Sequence, residues 1–281
     1  VSVVVLTDSS ARVPADLRDE WGLRVVPLHI LLDGADLRDG VDEIPPDIHM
    51  RRATSAAATP AQLADAYRAA LADSERSGGP VGVVAVHISS ALSSTCGIAE
   101  RTAADLDPRV RVVDSRSAAM GTGFVALAAA RAAAAGADLA AVAAAARAAV
   151  TRTHAFVAVH RLDNLRRSGR GARAWLGTAL SLKPLLRIQD GKLVLAQRLR
   201  TATQAKEAMI DRVCDVVGGH PAGLAVLHVA NPDGAAEVAA ALAQRLPVCE
   251  PAIIAELGPV LALHVGAGAI AVCVSVAPAP A

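Results

Sequence analysis

The sequence predicts an α/β protein of two lobes, each a sheet flanked by helices, and three observations lead there. Apolar runs of strand length recur along the chain and several end in Asp, Ser or His. Between them lie segments with helical spacing and recognisable helix starts. Hydrophobic residues make up 53% of the 281 residues but aromatics only 2%, so the interior must be built from Ala, Val, Leu and Ile, and any cavity in it would be aliphatic. A chain of this length can hold one large unit or two smaller ones. Alternating strands and helices in both halves favour two lobes, 1–152 and 153–281, around a crevice at the carboxyl ends of strands.

The first strand is expected at Val3–Leu6, a continuous apolar run suited to burial on both faces. Asp8, Ser9 and Ser10 follow it and can cap the next helical segment. "LRVVPLHILLDG" reads as a second strand closing in an Asp-Gly turn, and "RRATSAAATP" as a loop carrying Thr54 and Ser55. A helix begins at Thr59-Pro60, with Thr59 as N-cap and Pro60 in the first helical position. It leads to a strand at Val81–Ile88 and then to the hydroxyl run Ser89, Ser90, Ser93, Ser94 and Thr95. "RVRVVDS" is another strand with a polar end.

The Ala-rich stretch Met120–Val150 divides into two helices at "AGADL", where Gly136 is the stop and Asp138 the new N-cap. Ala has the best helix propensity, and its small side chain lets helices pack closely against a sheet. After "HAFVAV" comes a basic loop, then a hairpin around Asp190-Gly191. A helix at Gln204–Val217, a strand at Leu224–Val229, the turn "NPDG" and a helix to Leu246 follow. The final strands are expected at Val260–Val265, with His264 at its end, and at Ile270–Val276.

Net charge is +1, which argues against a surface that tracks nucleic acid or anionic lipid. The distribution is uneven: ten basic residues against two acidic ones between Arg161 and Arg200 give a local +8, leaving −7 elsewhere. Such a block is either solvated surface or a docking face for an acidic partner. The four cysteines form no C-x-x-C pair, so buried reduced thiols are expected rather than zinc or disulfides. The opening residues read as a strand and not a signal peptide. Two charge-free stretches, Ser77–Ala99 and Leu257–Ala281, are interrupted by Gly, Pro, His or hydroxyls, which suits buried strands better than a spanning helix. A cytoplasmic protein without stable membrane insertion is the expectation.

Capping accounts for one or two of the five hydroxyls after Ile88, and donors beside a helix N-terminus also suit a phosphate or carboxylate. Ser, Asp114 and His264 invite a hydrolase triad, but there is no G-x-S-x-G elbow. Gly266 and Gly268 after His264 precede strand-like sequence, which disfavours a dinucleotide site. His87, His154, His160 and His228 show no i, i+4 pair for a metal, and no P-loop is present.

Six ordered segments nevertheless resemble the DegV family, lipid-binding proteins that serve as carrier subunits of bacterial fatty-acid kinase. They are "LTDSSARVP", "ISSALSSTCGIA", "VVDSRSAAMGTG", "LDNLRRSGR", "LKPLLRIQDGKLVLAQRLRT" and "ELGPVLALHVGAGAIAV", spanning essentially the whole chain. The resemblance implies a lipid tunnel and head-group site between the lobes. Carboxylate-binding hydroxyls fall on Ser89 and Ser90 with Ser93 nearby, and the motif histidine falls on His264. The family's T-S-Q-P loop falls on Thr54 and Ser55, where the Gln and Pro are missing. It implies a long-chain fatty acid as ligand, no cofactor, and no catalysis by this chain. A partner ATP-dependent kinase would form the acyl phosphate, docking on Arg170 with Arg167 and Arg200. The competing expectation is an enzyme or binding protein for a phosphorylated small molecule, with the Ser/Thr cluster on phosphate.

Overall fold

The computed structural model describes residues 2–79, 81–160 and 183–278. Three sheets are present among these residues. The first is fully parallel, in the order β2 (Arg24–Val26), β1 (Val3–Asp8), β6 (Gly82–His87), β7 (Val110–Asp114). Every residue of β1 and β6 is buried, because each strand feeds two cores. Val4, Leu6, Val83 and Ala85 pack with Leu63 and Tyr67 of helix Pro60–Arg76 and with Ala99 and Ala103 of helix Thr95–Leu106. Val3, Val5, Val84 and Val86 point the other way, onto the Ala-rich helices Met120–Ala134 and Leu139–Val150.

The second sheet has six strands, in the order β10 (Lys192–Gln197), β9 (Leu185–Gln189), β8 (Thr153–Ala158), β13 (Ile270–Val276), β11 (Ala222–His228), β12 (Ile253–Glu256). Only the β11–β12 pair is parallel. Its outer face buries Phe156, Leu224, Val226 and Val272 against Met209 and Val213 of helix Ala202–Val217 and Val238 and Leu242 of helix Pro232–Arg245. Its inner face presents Ala155, Val157, Ala225 and Ala271 to the same Ala-rich helices. Helix Met120–Ala134 is therefore enclosed between the two sheets, and eleven of its residues are buried. The many Ala and Gly residues of this helix, beside the larger Met120, Phe124, Val125 and Leu127, let two pleated surfaces close on it.

The expected helix starts are present. Thr59 Oγ1 accepts from Gln62 N at 3.2 Å and Gln62 Oε1 accepts from Thr59 N at 2.9 Å, a reciprocal capping box. Asp138 Oδ1 accepts from Ala141 N at 2.8 Å. Asp190 and Gly191, at φ 51° and 76°, turn the β9–β10 hairpin as expected.

Four expectations are corrected. "LRVVPLHILLDG" is two strands in different sheets, because Pro27 has no N–H for the ladder: β2 ends at Val26 and β3 (His29–Leu32) starts beyond it. β3 is the centre of a small antiparallel sheet with β4 (Ala35–Arg38) and β5 (Ala53–Ala56), which places Thr54 and Ser55 on a strand rather than in a loop. The segment expected as a strand at Val260–Val265 is a helix, Pro259–Val265, with Pro in the first turn after Gly258. Val260, Leu261, Ala262 and Val265 are all buried, so the segment lacks the polar face that would mark a helical period. "NPDG" is a helix start: Asn231 Oδ1 accepts from Gly234 N and Pro232 opens the helix.

No helix among the described residues is long and apolar enough to cross a membrane. Ala126 sits with no exposure in the shared layer. Ala126→Leu should overpack it and lower stability by about 2 kcal/mol, read as an earlier urea midpoint at unchanged m-value.

Candidate functional site: an apolar cavity with a polar rim

Where the Ala-rich layer ends, the two sheets do not quite close. A narrow cavity of about 90 Å³ lies there. Ile88 and Leu92 from the end of β6, Ala118 and Ala119 before the Met120 helix, and Ala155 and Val157 of β8 form one side. Ile188 and Leu193 of the hairpin, Ala271 and Cys273 of β13, and Leu257, Leu261 and Val265 around the short helix complete it. Burial pushes the Cys273 thiol up to about 12, so it behaves as an apolar group. Among the lining side chains His264 is the only ionisable one besides that thiol.

His264 Nε2 lies 2.9 Å from Ser55 Oγ. Two secondary structures meet in that contact: β5 supplies the hydroxyl and the Pro259–Val265 helix supplies the ring. Strand alternation turns the neighbouring Thr54 to the opposite face, where it is exposed. An imidazole nitrogen beside a hydroxyl can accept or donate, so the pair offers hydrogen bonds to an incoming acceptor without a permanent countercharge.

The hydroxyl run divides its tasks. Ser89 is buried; its Oγ donates to Gly191 O at 2.8 Å and ties the end of β6 to the hairpin turn. Ser90 is exposed, and its hydroxyl and backbone N–H both reach the Asp114 carboxylate at the end of β7. Ser93 Oγ pairs with Thr95 Oγ1 at 2.9 Å at the start of the following helix. Ser94, the N-cap residue, makes no side-chain cap bond. Ser89 and Ser93 flank Leu92 of the cavity wall in sequence, whereas Ser90 turns to Asp114. Arg200 is exposed ahead of helix Ala202–Val217, and Arg167 and Arg170 lie outside the described residues.

Sequence reasoning missed the group that holds this loop. Asp8, at the end of β1, is fully buried and accepts from Ile88 N at 2.9 Å, His87 Nδ1 at 3.1 Å and Ser10 N at 3.1 Å. His87 Nε2 is in turn 3.3 Å from the Tyr67 hydroxyl. Burial alone would raise the Asp8 carboxyl, but the bonds and charge of His87, with Ser10 and Ile88, outweigh it and hold the carboxyl below its ordinary value. The available signal was an acid at the carboxyl end of one buried strand and a His at the carboxyl end of another.

A model for the family described as "Uncharacterised protein, DegV family" matches residues 2–277. The chain belongs to the DegV family. A DegV domain-containing protein of Mycobacterium tuberculosis is 68% identical to it, across 100% of this chain and 99% of its own. Among solved structures, that described as "Fatty Acid Binding of a DegV family Protein from Thermus thermophilus" superposes with a TM-score of 0.89 at 33% identity, covering 98% of this chain and 99% of its own. The DegV family protein Cg2579 of Corynebacterium glutamicum superposes at 0.85 with 30% identity, covering 98% of each.

In this DegV chain the buried Asp8 makes a pH-dependent contribution. Its carboxyl titrates lower folded than unfolded, so the stability it adds is present above about pH 4 and is lost as pH falls through that range. Asp8→Asn should cost about 3 kcal/mol at pH 7 and flatten the fall in urea midpoint between pH 6 and pH 3. An unchanged acid limb in the variant would show that other carboxylates dominate it.

Proposed function

We propose that this DegV protein binds a long-chain fatty acid, with the acyl chain in the apolar cavity and the carboxylate at Ser55 and His264. The observation that carries this reading is the asymmetry of the cavity: hydrocarbon walls throughout, and one histidine joined to one hydroxyl at the rim. Each methylene that enters such walls contributes ~0.8 kcal/mol before association costs, so the hydrocarbon chain supplies most of the affinity. The head group adds little net affinity but must be hydrogen-bonded, because a buried carboxylate without partners costs several kcal/mol. Ser89, Ser90 and Ser93 are proposed as further hydroxyls for the carboxylate; they would have to leave their present partners, Gly191 O, the Asp114 carboxylate and Thr95 Oγ1, to reach it. A phosphorylated small molecule would need a polar cavity and is less well served by these walls. The fatty-acid binding described for the Thermus thermophilus relative supports the same ligand class.

The finer proposal is that the chain acts as a carrier. It orients the carboxylate at the rim, and a separate ATP-dependent kinase brings the nucleotide and metal for acyl-phosphate formation. Orientation and water exclusion are what this chain contributes to such a transfer. Arg170, Arg167 and Arg200 are the proposed docking residues, as part of the basic block.

Denaturing extraction of protein purified from bacterial cells should release close to one fatty acid per chain, identified by mass spectrometry. An empty protein that also fails to take up oleate or palmitate would overturn the reading. His264→Ala and Ser55→Ala should each weaken oleate binding about tenfold, while Thr54→Ala, on the opposite face, leaves it unchanged. With a reconstituted kinase and ATP, Arg170→Glu should retain fatty acid but lower acyl-phosphate formation at least about tenfold. Full turnover by that variant would remove Arg170 from the docking face.

A further inference from the structure

The proposed role of His264 depends on where the Pro259–Val265 helix begins, and one side chain from near the start of the sequence meets that beginning. Arg12 follows the short 3-10 turn Ser9–Ala11 after β1, in the left-handed conformation at φ 55°. From there its guanidinium reaches three elements. Nε donates to Glu256 O at 3.2 Å, at the end of β12. Nη1 lies 3.6 Å from Asp39 Oδ1, just beyond β4. The guanidinium carbon itself rests on Gly258: a Cβ there would fall 2.5 Å from it. Gly258, at φ 79°, is the residue whose carbonyl accepts from Ala262 N at 2.9 Å in the first turn of the helix.

Asp39 is 3% exposed, and burial pushes its carboxyl above its ordinary value against the opposing pull of the Arg12 guanidinium beside it. β4 and β5 belong to the same small sheet. The helix is thus tied to that sheet twice, at its start through Gly258, Arg12 and Asp39, and at its end through His264 and Ser55. Between these ties Val260 packs on Leu28, Ile30 and Leu32.

We propose that Arg12 is a positioning residue for the head-group site: by fixing the Gly258 end of the helix, it sets where His264 stands over the cavity. The proposal rests on the fatty-acid reading above, and Arg12 itself does not line the cavity. The planar guanidinium is what the position requires, since it lies on Gly258 while donating to Glu256 O and standing beside the Asp39 carboxylate. A lysine ammonium supplies the charge without the plane or the divergent donors.

Arg12→Gly is the informative substitution because glycine adopts the left-handed conformation without cost, so the backbone is relieved while the guanidinium is removed. Three quantities are measured: the thermal midpoint, the affinity for cis-parinaric acid, and the NMR titration of the His264 imidazole in ligand-free protein, assigned with His264→Ala. The expected result is a folded variant whose His264 resonances and titration are displaced and whose affinity falls at least about fivefold. Arg12→Lys should fold and restore only part of both. A folded Arg12→Gly protein with wild-type His264 titration and affinity within twofold overturns the proposal. Should Arg12→Gly fail to fold, Arg12→Lys decides it by the same two readouts, with wild-type values again overturning it. If the wild-type protein takes up no fatty acid, the functional reading fails by itself, and the ligand-free His264 titration still decides the role of Arg12.

Discussion

Two sheets close on one layer of helices, and that constraint sets the size of nearly every side chain between them. Helix Met120–Ala134 meets β1 and β6 on one side and β8 and β13 on the other. A helix with a sheet on one side can turn a polar face to water; this one is buried almost all round up to its last turn, where Arg131 is exposed, which accounts for its largely apolar character. Alanine serves here as a spacer as well as a helix former. The layer holds one ring on this helix, Phe124, and Gly223 of β11 leaves the room for it, since a Cβ there would fall 3.1 Å from the ring. The cavity also follows from the small side chains: at the Ala118–Ala119 end of the layer, methyl groups stand where larger side chains would have filled the gap.

The polar groups lie around this apolar stack and do two different jobs. Asp8, His87 and Tyr67 form a closed network without exposure, which joins the ends of β1 and β6 and anchors Ile88 at the cavity wall. Ser89 and Arg116 extend the tie to the hairpin turn, through Gly191 O and the Asp190 carboxylate. The Ser55 and His264 pair differs in being half-buried beside an open apolar space, with a local environment that can change when a ligand arrives. A fixed frame beneath an adaptable rim is what a site needs when its occupant supplies most of its affinity through a hydrocarbon chain.

How much of this was legible in the sequence follows the range of the interaction. Strands β1 and β6 could be read as continuous apolar runs because both faces of each are covered. Thr59, Asp138 and the Asp190-Gly191 turn were legible because their chemistry is complete within four residues. The small sheet was not, since β3 and β5 pair across more than twenty intervening residues and each is only four long. The Pro259–Val265 helix was hidden by its own burial, and the Gly258-Pro259 start was the sign that could have revealed it. His264 and Ser55 were both candidates, yet their contact joins residues 209 apart and has no local trace. The contact between Asp8 and His87 was invisible for the same reason, although each residue ends a strand of the parallel sheet.

The place of β13 within the large sheet has a consequence for biosynthesis. β13 lies between β8 and β11, so the central strand leaves the ribosome after both of its neighbours. Until it arrives, β8 and β11 have no common partner, and the Ala-rich helices keep bare apolar surface on the side where Ala271 and Cys273 will pack. A nascent chain halted before Ile270 can complete the parallel sheet but not the cavity, whose far wall is β13 itself. The cavity therefore comes late in synthesis, in a chain whose two sheets have already met.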